Sequence, residues 1–205
     1  TDPPAPPGRL TEYLRDIVLT NRALDLVCRV GRRFPKAIPR LNRFITGVAA
    51  SPPRVDRSDR CFASPRQVRF TEMEYALPRA ALPEVLAEVR DFVHREKLPV
   101  NFPMEIRFVA PDDALLSPAH ERETAYIAVH VYTGMEWERF MRGCEAVYDR
   151  FEGRPHWGKR HFQTAATLAG RYPAWDRFQA VRERMDPDGV FANEYVRRTL
   201  VGRDG

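Results

Sequence analysis

Two periodicities alternate along this chain. From Leu10 to about Val30 the apolar residues Leu10, Tyr13, Leu14, Ile17, Val18, Leu24 and Val27 recur at helical spacing. Phe34-Pro35 and Ile38-Pro39 interrupt that pattern, because proline removes a donor and crowds the preceding turn. Leu41 to Ala50 predicts a second, shorter helix, ended by Ser51-Pro52-Pro53. Residues 54–65 are polar and irregular, which suits a surface loop. The period then changes. Between Val68 and Leu77, Met73 and Tyr75 fall on one face and Glu72 and Glu74 on the other, the two-residue repeat of a strand, closed by Pro78. Arg79 to Lys97 predicts an amphipathic helix, with Leu82, Val85, Leu86, Val89, Phe92 and Val93 on one stripe. Met104 to Ala110 and Thr124 to Tyr132 predict two more strands. In the latter, Tyr126, Ala128, His130 and Tyr132 share a face opposite Ala125, Ile127, Val129 and Val131. Glu136 to Phe151 predicts a further helix, with Trp137, Phe140, Met141, Cys144, Val147 and Tyr148 on one side. A helix over Pro173 to Met185, the turn Asp186-Pro187-Asp188-Gly189 and a last helical piece from Phe191 complete the pattern.

The order strand, helix, strand, strand, helix predicts an α+β fold: a largely antiparallel sheet with helices packed on one face. Three stretches follow from the same reading. Residues 1–9 form a proline-rich linker, in which Pro3-Pro4-Ala5-Pro6-Pro7 is prone to polyproline II. Residues 10–65 form a helical segment with a connecting loop, and residues 66–205 the α+β domain. A start at Thr1 inside a proline-rich stretch leads us to expect that the chain continues a longer polypeptide.

Composition narrows the function classes. The chain has 205 residues, 43% of them apolar and 30% charged, which suits a globular protein of one or two domains. No apolar run approaches the roughly 18–20 residues that span a bilayer, and no signal peptide is evident. A cytoplasmic location is the expectation, with peripheral membrane contact through the basic surface left open. The net charge is +5 and the pI near 9.4, yet the arginines are dispersed among Asp and Glu, and no basic stripe supports nucleic-acid binding. Cys28, Cys61 and Cys144 lack the pairing of a disulfide framework or a zinc site. Cys28 and Cys144, in helix-like stretches, read as buried free thiols, and a reducing compartment is the inference. His94, His120 and His161 have no metal-like spacing, so no metal site is expected. No glycine-rich phosphate loop, GxSxG elbow or CxxC pair is present.

Two segments could carry chemistry. Glu105-Ile106-Arg107 lies on a strand, so the two charges share one face. An isolated Glu-x-Arg is most often a solvated ion pair. Here the flanking Phe102, Met104, Ile106 and Phe108 are apolar, the strand reads as internal to the sheet, and buried charge is costly unless paired or used. An arginine fork can hold two oxygens at once. About fifty residues later, Pro155-His156-Trp157-Gly158-Lys159 packs an imidazole, an indole, a glycine and an ammonium group into one turn. Gly153 and Gly158 permit close backbone approach, and a partly desolvated lysine can take a proton or polarise an oxygen. Both segments suit a substrate with several hydroxyls. His130 shares a strand face with Tyr126 and Tyr132, as a structural histidine or one beside the substrate. Asn193 and Tyr195 begin the last helix.

These segments, in this order, resemble the C-terminal half of FAD-dependent sugar-lactone oxidoreductases of the vanillyl-alcohol-oxidase superfamily. The resemblance rests on residues 66–78 (RQVRFTEMEYALP), Glu105-Ile106-Arg107, residues 125–130 (AYIAVH), His156-Trp157-Gly158-Lys159 and residues 186–191 (DPDGVF). It is strongest to the D-arabinono-1,4-lactone oxidase and L-gulono-1,4-lactone dehydrogenase group. The resemblance implies a substrate, or cap, domain lying over a flavin that is bound mainly by an N-terminal FAD-binding half absent from this chain. That half would be the partner, in the same polypeptide or a separate one. Glu105, Arg107 and Lys159 would be catalytic, while His156, Trp157, His130 and Asn193 would contact substrate or flavin. The implied reaction is hydride transfer from a carbinol carbon of an aldono-1,4-lactone to the flavin. The competing readings are an alditol or polyol oxidase of the same family, and a non-catalytic binding or assembly domain derived from it.

Overall fold

A computed structural model describes residues 8–48, 57–58 and 67–202. Residues 1–7 of the linker expected at 1–9, the end of the second predicted helix, most of the predicted loop and Cys61 lie outside the described residues. The chain divides into two compact units. One takes Thr1–Thr71, Pro99–Phe102 and Val131–Met135, the other Glu72–Leu98, Pro103–His130 and Glu136–Gly205.

In the first unit, α1 (Arg9–Tyr13), a wider π-helical stretch (Leu14–Ala23) and α2 (Leu24–Arg33) follow one another directly, so the predicted helix extends beyond Val30. It ends at Phe34, ahead of Pro35, and a short 3-10 turn leads into α3 (Ile38–Val48). Gly31 allows the chain to fold back here, since a Cβ at that position would lie 3.1 Å from Ile38 Cγ1. Cys28, Val68 and Tyr132 form a small core, with Leu24, Phe102 and Met135 packed against it. The Tyr132 hydroxyl donates to Asp25 at 2.8 Å.

The second unit is built on a four-stranded antiparallel sheet with the order β2-β3-β1-β4. Its strands are β1 (Phe70–Pro78), β2 (Glu105–Val109), β3 (Thr124–Tyr132) and β4 (Arg154–Pro155), the first residues of β1 and the last of β3 being counted with the first unit. α4 (Leu82–Arg95) joins β1 to β2, and α5 (Glu138–Arg150) joins β3 to β4. The alternation read from the sequence sets the two faces. Met73, Tyr75, Leu77, Ala125, Ile127 and Val129 are at most 2% exposed, as are Val85 and Val89 of α4 and Met141, Cys144 and Tyr148 of α5. Tyr75 meets Tyr148 with ring centroids 5.2 Å apart, which places α5 against this face. The α+β fold with helices on one face is the one the sequence predicts.

Three features depart from the predicted elements. β2 is an edge strand, not an internal one, and each of its five residues is exposed. Its apolar residues do not make it internal, because alternation carries no information on how many strands lie alongside or on what covers either face. β4 is two residues long, too short for any period to reveal. A short helix, α6 (Ala165–Ala169), precedes α7 (Trp175–Met185), and the final helical piece starts at Glu194, as α8 (Glu194–Val196) with a π-helical continuation to Val201. Ala165, Leu168, Tyr172 and Trp175 form a second small core, joined by Leu116, Trp157 and Leu200.

Candidate active site

The sheet face opposite the helices is polar. Glu72 and Glu74 on β1, Tyr126 and His130 on β3, and Glu105 and Arg107 on β2 all point to it, because each set keeps the two-residue repeat. Register aligns them: Glu105 lies opposite Ala128, and Arg107 opposite Tyr126. The His-Trp-Gly-Lys turn is stitched onto the other side of β1. Tyr75 pairs with Pro155, His156 N donates to Glu74 O at 2.9 Å, and Arg160 N donates to Glu72 O at 3.0 Å. Lys159 N closes the turn on His156 O at 3.1 Å, leaving the lysine side chain directed back over β1.

Two carboxylates receive that lysine. Lys159 Nζ lies 2.6 Å from Glu72 Oε1 and also donates to Glu74 Oε2. Glu72 Oε1 is also 3.1 Å from His130 Nε2. Glu74 is nearly inaccessible, with 2% of its side chain exposed, and its other oxygen lies 3.7 Å from Arg107 Nη1. Arg107 Nε donates to Glu105 at 2.9 Å. Burial alone would raise the pKa of Glu72, but hydrogen bonds from His130 and Lys159, with the lysine charge, outweigh it and lower the value to about 2. The hydrogen bond to Glu105 is the largest influence on Arg107 and raises its pKa further above the usual guanidinium value. Arg107 and Glu105 are each about half exposed, at 49% and 50%, so the cost of burying charge falls on Glu74 and Lys159 instead.

Supporting contacts fix the turn. Arg154, only 6% exposed, donates from Nε to Arg171 O at 2.7 Å and from Nη1 to His120 O at 2.9 Å. Trp157 Nε1 donates to Leu116 O at 2.8 Å, and its ring packs on Tyr172. The Tyr195 hydroxyl donates to Trp157 O at 2.7 Å and therefore accepts from His161 Nε2, also at 2.7 Å. His156 Nδ1 accepts from Gly158 N at 3.1 Å.

Of the residues singled out in the sequence, Glu105, Arg107, His130 and Lys159 come together on one face with Glu72 and Glu74. His156 and Trp157 belong to the turn beside them, Trp157 with its indole half-buried in the small core. Asn193 caps α8, its Oδ1 accepting from Val196 N at 2.9 Å. Sequence reasoning gave no role to Glu72 and Glu74. The signal was the Glu-x-Glu spacing on the face opposite Met73 and Tyr75, but nothing in it distinguishes a buried pair from a solvated one.

A family profile for D-arabinono-1,4-lactone oxidase matches residues 1–199. The chain belongs to the D-arabinono-1,4-lactone oxidase family. Among its relatives, an L-gulono-1,4-lactone dehydrogenase of Mycobacterium tuberculosis is 57% identical over 180 residues, covering 88% of this chain and 42% of the relative. The matched part is C-terminal in that dehydrogenase. An L-gulonolactone oxidase of Scyliorhinus torazame is 32% identical over 81% of the chain and 39% of its own length. An alditol oxidase of a Streptomyces species is 38% identical over 64% of the chain and 32% of its own length. The chain thus spans less than half the length of these family relatives.

Proposed function

We propose that this chain is the substrate-side part of an FAD-dependent oxidoreductase that oxidises an aldono-1,4-lactone at a CH–OH carbon. The observation that carries the reading is the convergence of Glu105, Arg107, His130 and Lys159, from separate segments of the chain, on the sheet face opposite α4 and α5. Membership in a family whose relatives are named as lactone oxidases and a lactone dehydrogenase supports the substrate class. The alditol oxidase relative keeps a polyol as the alternative donor.

The residues fit such a cofactor. Arg107, half exposed, and Lys159, 17% exposed, keep N–H groups after their carboxylate pairings, a donor set suited to a flat, electron-accepting ring and to the oxygens of a polyhydroxylated donor. When bound, FAD supplies the hydride acceptor. Arg107 would hold the substrate oxygen whose charge rises as the C–H bond breaks, an interaction stronger in the transition state than before it. Lys159, fixed by two carboxylates, would donate a hydrogen bond to a neighbouring oxygen. Glu105, half exposed and oriented by Arg107, would accept a substrate hydroxyl proton. His130, anchored to Glu72, would border the pocket.

The test is anaerobic flavin reduction by L-gulono-1,4-lactone in the complete flavoenzyme polypeptide, as wild type and as Arg107→Ala. The visible flavin band of the wild type should bleach, and the variant should bleach about a hundredfold to a thousandfold more slowly, the scale of losing one charge-stabilising donor. A protein that binds no flavin, or is not bleached by lactones or alditols, would leave the binding-domain reading in its place. Near-normal reduction by the variant would remove the role of Arg107.

A further inference from the structure

Nothing in the lactone-oxidising reading explains why Glu74 is buried between the two cations of the site. Its side chain is 2% exposed, one oxygen accepts from Lys159 Nζ, and the other lies 3.7 Å from Arg107 Nη1. A carboxylate in such a position costs free energy unless its partners are held to it. Both cations have a second carboxylate as well: Glu72 at 2.6 Å from Lys159, and Glu105 at 2.9 Å from Arg107. Three carboxylates therefore surround two cations. An ammonium has three N–H donors and a guanidinium five, so both groups keep donors for a ligand after these pairings. The face offers hydrogen bonds without net positive charge.

We propose that Glu74 is a specificity-determining residue, which cancels the charge of Lys159 and Arg107 so that the site binds uncharged oxygen donors and rejects carboxylates. The chemistry matters for a lactone because hydrolytic ring opening gives a carboxylate with the same carbon skeleton, the lactone's hydroxyls and one more freed from the ring oxygen. A bare lysine–arginine pair would bind that acid more tightly than the lactone, since charge-assisted hydrogen bonds to a carboxylate are the strong ones. A third carboxylate beneath the pair turns this preference around. Glu72 acts in the same direction from the other side of Lys159. The inference rests on the proposed function above.

The experiment uses the complete flavoenzyme, with L-gulonate as the anionic probe. Its binding is followed by the perturbation of the oxidised flavin band and, separately, as inhibition of lactone oxidation. In the wild type L-gulonate should bind far more weakly than L-gulono-1,4-lactone. In Glu74→Gln, which keeps shape and hydrogen-bonding capacity, it should bind about tenfold to a hundredfold more tightly than in the wild type, the worth of a charged hydrogen bond. Glu72→Gln should shift binding in the same direction by less. Circular dichroism and the melting midpoint establish that each variant folds, and if Glu74→Gln does not, Glu72→Gln and the wild-type comparison decide. Wild type reduced by the lactone but binding L-gulonate just as tightly would overturn this proposal alone, as would unchanged L-gulonate binding in folded variants. Failure of the lactone to reduce the wild type would overturn the underlying reading and this one together.

Discussion

His161 shows how a single side chain is set by its surroundings. The residue is 6% exposed; its Nε2–H donates to Tyr195, and its Nδ1 has no hydrogen-bond partner among the described residues. Burial, and secondarily the Arg198 charge, lower its pKa from 6.5 to about 4. The neutral ring is therefore the folded form, and the unfolded chain takes up the proton first as pH falls. The contribution of His161 is full above about pH 6.5, declines as the unfolded imidazole protonates, and stops changing near pH 4, a loss on the order of 3 kcal/mol. Urea midpoints measured between pH 7 and 4 should show this slope in wild type and lack it in His161→Gln; parallel curves would refute the assignment. Glu72 acts in a lower window. Its depressed pKa contributes stability present above about 4.5 and lost as pH falls toward about 2.

Between elements, packing decides more than propensity. Gly143 lies in the middle of α5, where glycine costs about 1 kcal/mol relative to alanine. A Cβ there would stand 1.9 Å from the tip of the Phe92 ring on α4, so the two helices approach only because the side chain is absent. Overpacking of this kind costs about 1–3 kcal/mol, which exceeds the propensity gain. Gly143→Ala should accordingly lower stability, by up to about 2 kcal/mol net, in chemical denaturation, and Phe92→Leu should make the same change neutral or favourable. An additive double mutant would show that the two positions do not touch. Helical periodicity predicted α4 and α5 and the stripe of each that faces inward. It did not single out Gly143, because a glycine adds nothing to an apolar stripe.

On the scale of the molecule, among the described residues each compact unit holds one buried cysteine, Cys28 in the first and Cys144 in the second. Burial pushes both thiols up to about 12, in the case of Cys28 with a smaller contribution from Asp25, so neither offers thiolate to a reagent at neutral pH. Their alkylation rates should report opening of the unit that contains them. Each should be slow in native buffer and accelerate with urea, and two different rates would show that the units open separately. Rapid labelling of Cys144 without denaturant would contradict the burial. Among the described residues, no helix is long and apolar enough to cross a membrane.

The sequence by itself determined the longer elements, the α+β layer and the two faces of the sheet, because alternation and helical spacing are local and survive in a single chain. It also placed Glu105 with Arg107 on one face, and a resemblance carried by motifs in order pointed to the family. Only the tertiary structure decided that the Glu-Ile-Arg strand is an edge, that a two-residue strand brings the His-Trp-Gly-Lys turn beside β1, and that Glu74 is buried between Lys159 and Arg107. The physical reason is one of range. Which strands are neighbours, and which of two glutamates two residues apart is covered, depend on contacts between residues 74, 107 and 159, and no local pattern encodes a distance between such remote positions.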